Sequence, residues 1–169
     1  MAISCASCPS VRRSSGSKIA LGAEGDPDLR PLAIEAYQHV VEAAPAWAQP
    51  LINLGTLLHE AGNLEMALDC YAKAILVAPE DPLAHFNLGS VLDEQKRFAE
   101  AAQHLKEAVR LKPDYADAHY NLARVYDEMG SPARARPHWQ AYLKLDPESA
   151  WSDFARQRLA IDPADATCR

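Results

Sequence analysis

Apolar residues recur along most of this chain with the spacing of one face of an α-helix, and polar residues fill the breaks between them. In residues 48–60, Leu51, Leu54, Gly55 and Leu58 lie at i, i+3, i+4 and i+7, which draws one apolar stripe on a helix. After a break at Ala61-Gly62-Asn63, a second stripe runs through Tyr71, Ala74 and Ile75. The same two-stripe unit returns twice more. Its later breaks are Gln95-Lys96-Arg97, a turn that must manage without glycine, and Gly130-Ser131-Pro132.

Prolines mark the period of this unit. Pro45, Pro79, Pro113 and Pro147 stand 34 residues apart, and a fixed spacing of this length signals a repeat architecture. The later three, preceded by Ala78, Lys112 and Asp146, each stop a second helix. The blocks are then 48–81, 82–115 and 116–149. Position 7 holds Leu54, Leu88 and Leu122; position 8 holds Gly55, Gly89 and Ala123; position 20 holds Ala67, Ala101 and Ala135; position 24 holds Tyr71, Leu105 and Trp139. Small residues at positions 8 and 20 let the two helices of a block approach closely, because a larger side chain would hold the backbones apart.

This Leu-Gly…Ala…Tyr…Ala…Pro pattern resembles the tetratricopeptide repeat family, over residues 31–149. The resemblance implies an all-α fold, an α–α superhelix: a right-handed solenoid of antiparallel helix pairs, about 3.5 repeats long. Residues 31–45 (Pro31, Ala33, Tyr37, Val40, Pro45) match the second helix of an earlier repeat. Its first helix would occupy 14–27, where Gly16, Gly22, Gly25 and Pro27 make a helix poor. The array therefore opens on an unpaired helix whose apolar face needs cover, as after truncation or loss of an upstream domain. At the other end, Trp151, Phe154, Ala155 and Leu159 make a stripe on a capping helix over 149–160, started by Ser149. Its other side is polar (Asp153, Arg156, Gln157, Arg158), as the end of a solenoid requires. In the last block Tyr142 replaces the small residue seen at Ala74 and Ala108, and Pro137 is expected to kink or delay the second helix.

Composition adds exclusions. An apolar fraction of 49% and a charged fraction of 24% are those of a soluble globular protein of one domain. The formal net charge of -6 divides into +3 over residues 1–23, which carry Arg12, Arg13 and Lys18 without an acid, and -9 over the rest. That balance argues against a nucleic-acid groove in the folded part. No run of 18 apolar residues is present to span a membrane. Residues 1–28 and 161–169 are expected to be a disordered leader and tail. The leader's composition also fits a plastid or mitochondrial transit peptide or a misassigned start, so a cytoplasmic location is expected, with organelle import as the alternative. Cys5-x-x-Cys8 has zinc or redox spacing, but no second ligand pair follows, and with Cys70 and Cys168 the cysteines are too scattered for a disulfide framework.

A solenoid works through a surface. At about 100° per residue, positions 2, 5, 6, 9 and 13 of each first helix fall opposite the apolar stripe, and the resemblance implies that this side lines a concave groove. The set is Gln49, Ile52, Asn53, Thr56 and Glu60; Leu83, Phe86, Asn87, Ser90 and Glu94; and Asp117, Tyr120, Asn121, Arg124 and Glu128. Asn53, Asn87 and Asn121 form a ladder whose amides can pair with the backbone of an extended peptide. The ladder resembles that in the repeat arm of O-linked N-acetylglucosamine transferases; the alternative is that asparagine is simply common there in the family. Ile52, Phe86 and Tyr120 make an apolar row of contact anchors beside it. The set sums to -3, and to -5 with position 12 (His59, Asp93, Asp127), which favours a basic or amine-bearing ligand unless the face is only solvated. The family's clamp for chaperone carboxylate tails is absent, since its lysine, asparagine, lysine and arginine places hold Ile52, Thr56, Asp117 and Asn121.

No nucleophile–histidine–acid spacing, phosphate loop or H-E-x-x-H is present, so neither catalysis nor a cofactor is expected. His85 and His119 share position 4, and His104 and His138 share position 23; their recurrence follows the repeat and marks them as structural or surface residues rather than metal ligands. The function expected is a protein–protein scaffold that holds a peptide or helix of a partner, basic or extended, as a monomer or a weak homo-oligomer through the N-terminal end. Two alternatives stay open. Stretches such as INLGTLL and AHFNLGSVLDE are similar to repeat tails fused to MerR-type regulators, whose DNA-binding domain would be missing here. The chain could also be the substrate arm of a glycosyltransferase.

Overall fold

The computed structural model describes residues 29–160. The leader, the tail and the Cys5–Cys8 pair lie outside the described residues. Every regular element described is a helix: α1 Arg30–Ala43, α2 Ala48–Glu60, α3 Leu64–Val77, α4 Pro82–Glu94, α5 Phe98–Leu111, α6 Ala116–Glu128, α7 Pro132–Leu145 and α8 Ser152–Ala160. The pairs α2/α3, α4/α5 and α6/α7 are the three repeats, preceded by the lone helix α1 and closed by α8. Each helix packs on the next, and α2 also touches α4 as α4 touches α6. The first helices of successive repeats thus lie side by side and form a continuous face of a helical solenoid.

Each repeat turns between its helices in one way. Asn63 N–H reaches Leu58 O and Gly62 N–H reaches His59 O, a Schellman closure of α2. Arg97 to Leu92 and Ser131 to Tyr126 repeat it. The closure needs one left-handed residue, and Gly62 (φ 78°) and Gly130 (φ 66°) supply it. In the middle repeat the place falls to Lys96, at φ 59°. Between repeats, Ala78, Lys112 and Asp146 end the second helices by donating back to Ala74, Ala108 and Tyr142. Asp81 alone caps the following helix with its side chain, accepting from Leu83 N–H at 2.8 Å and Ala84 N–H at 3.3 Å.

The core is a column of register-equivalent residues. Tyr37, Tyr71, Leu105 and Trp139 are buried between the first helices they cover. Gly55 and Gly89 make room for them: a Cβ at Gly55 would lie 2.6 Å from Tyr71 Cε1, and one at Gly89 2.8 Å from Leu105 Cγ. Two expectations change here. Pro137 does not delay α7, which starts at the same register as α3 and α5 and has the same 14 residues. Its missing N–H falls inside an otherwise continuous helix fixed by packing on α6 and α8. Ser149 does not start the capping helix either. Its hydroxyl is taken by Tyr142 and Ser152, and Ser152 Oγ donates to Asp146 O, so α8 begins at Ser152.

Candidate functional site: the shared face of the first helices

The shared face of α2, α4 and α6 carries the asparagine ladder, but its rungs differ. Asn53 is engaged on both ends of its amide, accepting from Gln49 at 2.8 Å and donating to Tyr37 Oη at 2.9 Å. Asn121 donates to Ser90 Oγ across the repeat boundary at 3.1 Å. Asn87 makes no side-chain hydrogen bond among the described residues and is half-buried. The hydroxyls beside the ladder are occupied as well. Thr56 donates to Ile52 O at 3.1 Å and accepts from Tyr71 Oη at 3.3 Å, and Ser90 donates to Phe86 O at 2.9 Å. Two rungs of the ladder therefore fasten neighbouring units of the array together, and the middle rung makes no side-chain hydrogen bond among the described residues.

The row at position 5 is not a uniform set of anchors. Ile52 is only 1% exposed and belongs to the core, so it offers no contact to a ligand. It is buried in one cluster with Ala33 and Tyr37 of the lone helix α1, a neighbour that a helix wheel drawn for one repeat cannot register. Phe86 and Tyr120 are half-buried. Phe86 packs on Tyr115 with ring centroids 4.8 Å apart. Tyr120 is the hub of an aromatic cluster with Trp139, Tyr142, Trp151 and Phe154. Two of these were expected to bury α8 against the array. Instead Trp151 is 61% and Phe154 41% exposed, and together with Tyr120 they form a shelf at the C-terminal end of the groove.

The acids of the groove are largely matched from within. Arg30 meets Glu60 at 3.3 Å, His59 meets Glu94 at 2.9 Å, and Arg124 pairs with Asp93, whose side chain is buried. Asp127 accepts from Trp139 Nε1 at 2.9 Å and from Arg158 Nε at 2.8 Å. These pairs join successive repeats and α8, so they are part of the array's stacking. Asp117 and Glu128 hold no ion pair among the described residues. Arg30 and Arg158, from flanking helices that the register count left out, reduce the net charge of this set from -5 to -3 with His59 neutral.

On the other side, position 4 meets position 23. His85 Nδ1 lies 3.3 Å from His104 Nδ1, and His119 Nδ1 lies 3.1 Å from His138 Nδ1. In the first repeat the same places hold Leu51 and Cys70, which line an apolar cleft of about 340 Å³ together with Val41, Leu54, Leu58 and Met66. Burial, reinforced by Asp69, pushes the Cys70 thiol up to about 11. Among the described residues no group of three or more His, Cys, Asp or Glu could hold a metal ion, and no helix is long and apolar enough to cross a membrane.

Stacked helical hairpins whose first helices share one face define the chain as a repeat solenoid. It belongs to the tetratricopeptide repeat family: two family models described as tetratricopeptide repeat match it, over residues 52–116 and 94–158. Among solved structures it is similar to MamA, at 26% identity and a TM-score of 0.72, over 86% of this chain and 90% of that one. It is also similar to YrrB, described as a TPR protein with an unusual peptide-binding site, at 28% identity and a TM-score of 0.69, over 75% of this chain and 64% of that one. The first TPR of Spaghetti, solved with an HSP90 peptide, shares the fold at 23% identity and a TM-score of 0.63, over 72% of this chain and 96% of that one. No curated protein shows significant sequence similarity to the chain.

Proposed function

We propose that this chain is a protein-interaction module that holds an extended peptide of a partner in the groove of α2, α4 and α6. The observation that carries this reading is the contrast within the groove. Its polar residues are mostly spent on stacking the repeats, while Asn87 and the Tyr120–Trp151–Phe154 shelf stay available. An amide that can both donate and accept suits a peptide backbone, and exposed aromatic rings suit an apolar side chain a few residues along it. A basic side chain of the ligand would meet Asp117 and Glu128. The likeness to YrrB, a TPR protein with an unusual peptide-binding site, at 28% identity supports a peptide as the ligand class. The test is selection of peptides from a displayed library, then titration of a selected peptide against the wild type, Asn87→Ala and Trp151→Ala. Each variant should lose about tenfold in affinity, a loss equivalent to one good contact. Unchanged affinity in both would show that the groove has no part in binding.

A further inference from the structure

The two histidine pairs have a defined proton arrangement. His85 Nε2 lies 3.1 Å from Pro79 O and His119 Nε2 lies 3.0 Å from Pro113 O. A carbonyl only accepts, so both Nε2 atoms carry hydrogen and the Nδ1 atoms of His85 and His119 are bare acceptors. His104 and His138 then donate Nδ1–H to them. Each chain of bonds ties the second helix of a repeat, through the first, to the proline that ends the preceding repeat. It tolerates one proton, taken at the outer Nε2 of His104 or His138. A second proton would set N–H against N–H at about 3 Å, and the pair must part.

The surroundings of the two pairs differ in charge at equivalent places. Around His85–His104 stand the uncharged Ala72 on α3 and the acids Glu100 and Glu107 on α5, which also pair with Arg97 and Arg110. Glu100 favours the charged form of His104, and Glu107 is held low chiefly by its bond to Arg110, with His85 adding to it. Around His119–His138 the same register places hold Lys106 on α5, and Arg134 and the uncharged Ala141 on α7. Two cations and no acid therefore stand where the other pair has two acids and no unpaired cation. Tyr126 of α6 covers His138 at 5.8 Å, with the Arg134 guanidinium over the tyrosine ring. We infer that these pairs are graded acid latches: the His119–His138 latch opens first as pH falls, the His85–His104 latch is buffered by its acids, and the first repeat, with Leu51 and Cys70 at these places, has no such latch.

The titration of His138 agrees with this order. Burial, then His119 and Lys106, bring it from 6.5 down to about 4, whereas His104 is lowered by burial and His85 against the opposing pull of Glu100. An imidazole with a depressed folded-state pKa is protonated more readily in the open state. Its stabilising contribution is complete above 6.5 and is lost as pH falls from there toward about 4. Acid therefore loosens α6 against α7, the repeat that carries Tyr120 and Asn121.

Hydrogen exchange resolved by helix, on the full chain between about pH 7 and 4.5 and corrected for intrinsic exchange, tests the order. Opening of α6 and α7 should rise by at least about tenfold per pH unit below 6.5, the slope of the His138 proton alone, while α2 and α3 change less. Lys106→Ala combined with Arg134→Glu gives the second pair the residues that the first has at Ala72 and Glu100. This double variant should raise the His138 titration, followed by its imidazole NMR signals, and shift the opening to lower pH. His119→Leu with His138→Cys copies the first repeat and should abolish the pH dependence. Opening that is uniform along the array, or a Lys106→Ala, Arg134→Glu chain that opens like the wild type, would overturn the inference.

Discussion

Asp127 and Arg158 meet at 2.8 Å across the boundary between the last full repeat and the capping helix, and the same carboxylate oxygen holds the indole N–H of the buried Trp139 at 2.9 Å. The two bonds differ in consequence. Arg158 is partly exposed, so losing it removes a screened pair and should cost no more than about 1 kcal/mol. Asp127→Ala also strands the indole donor in the core and should cost about 2–3 kcal/mol. Urea unfolding of both variants measures the difference, and equal costs would mean that the indole bond contributes nothing.

Lys96 holds a left-handed conformation that its counterparts in the other two repeats fill with glycine. Lys96→Gly should therefore stabilise the chain by about 0.5–1 kcal/mol, despite glycine's larger entropy in the unfolded state. Gly62→Ala and Gly130→Ala should cost about 1 kcal/mol each for the same reason. Denaturant midpoints report all three, and a destabilised Lys96→Gly chain would mean that the side chain makes a contact outweighing the strain.

At Gly55 and Gly89 the limit is space rather than conformation. Alanine gains up to about 1 kcal/mol in helix propensity over glycine. A Cβ placed 2.6 Å from the Tyr71 ring, or 2.8 Å from the Leu105 branch point, forces two packed helices apart at about 1–3 kcal/mol. Net destabilisation is expected at both sites in thermal melts, whereas Ala123 shows that the third repeat already accommodates the methyl group.

The three asparagines should separate by role. Asn53→Ala and Asn121→Ala break bonds between neighbouring repeats and should each cost about 0.5–1.5 kcal/mol of stability. Asn87→Ala should leave stability within about 0.5 kcal/mol of the wild type, as for a substitution away from any structural contact. Equal loss at all three in parallel melts would place Asn87 in the stacking as well, and would remove it as a ligand contact.

How far the site could be read from the sequence differs residue by residue. The period identified the blocks, the helix pairs and the small residues at Gly55, Gly89, Ala67, Ala101 and Ala135, because close packing leaves few residue types free at those places. It also put Asn87 and Tyr120 on the side of their helices away from the apolar stripe, and both are half-buried. It misplaced Ile52, because exposure at position 5 depends on the side chains stacked around it, and Ile52 is buried where Phe86 and Tyr120 are half-buried. The internal charge matching was missed because Arg30 and Arg158 sit in the flanking helices, where the repeat register gives no warning.

The sequence by itself determined the repeat, the identity and order of its helices and the face each turns to its partner, since these follow from local periodicity and turn chemistry. Only the tertiary structure decided which residues of that shared face are spent on stacking. A side chain's engagement depends on the helix stacked against it: Asn53, Asn87 and Asn121 share one register, yet Asn53 meets Tyr37, Asn121 meets Ser90, and Asn87 makes no side-chain hydrogen bond among the described residues. The histidines divide in the same way. Their recurrence was plain in the chain, but the pairing of His85 with His104 and of His119 with His138 comes from two helices closing on each other.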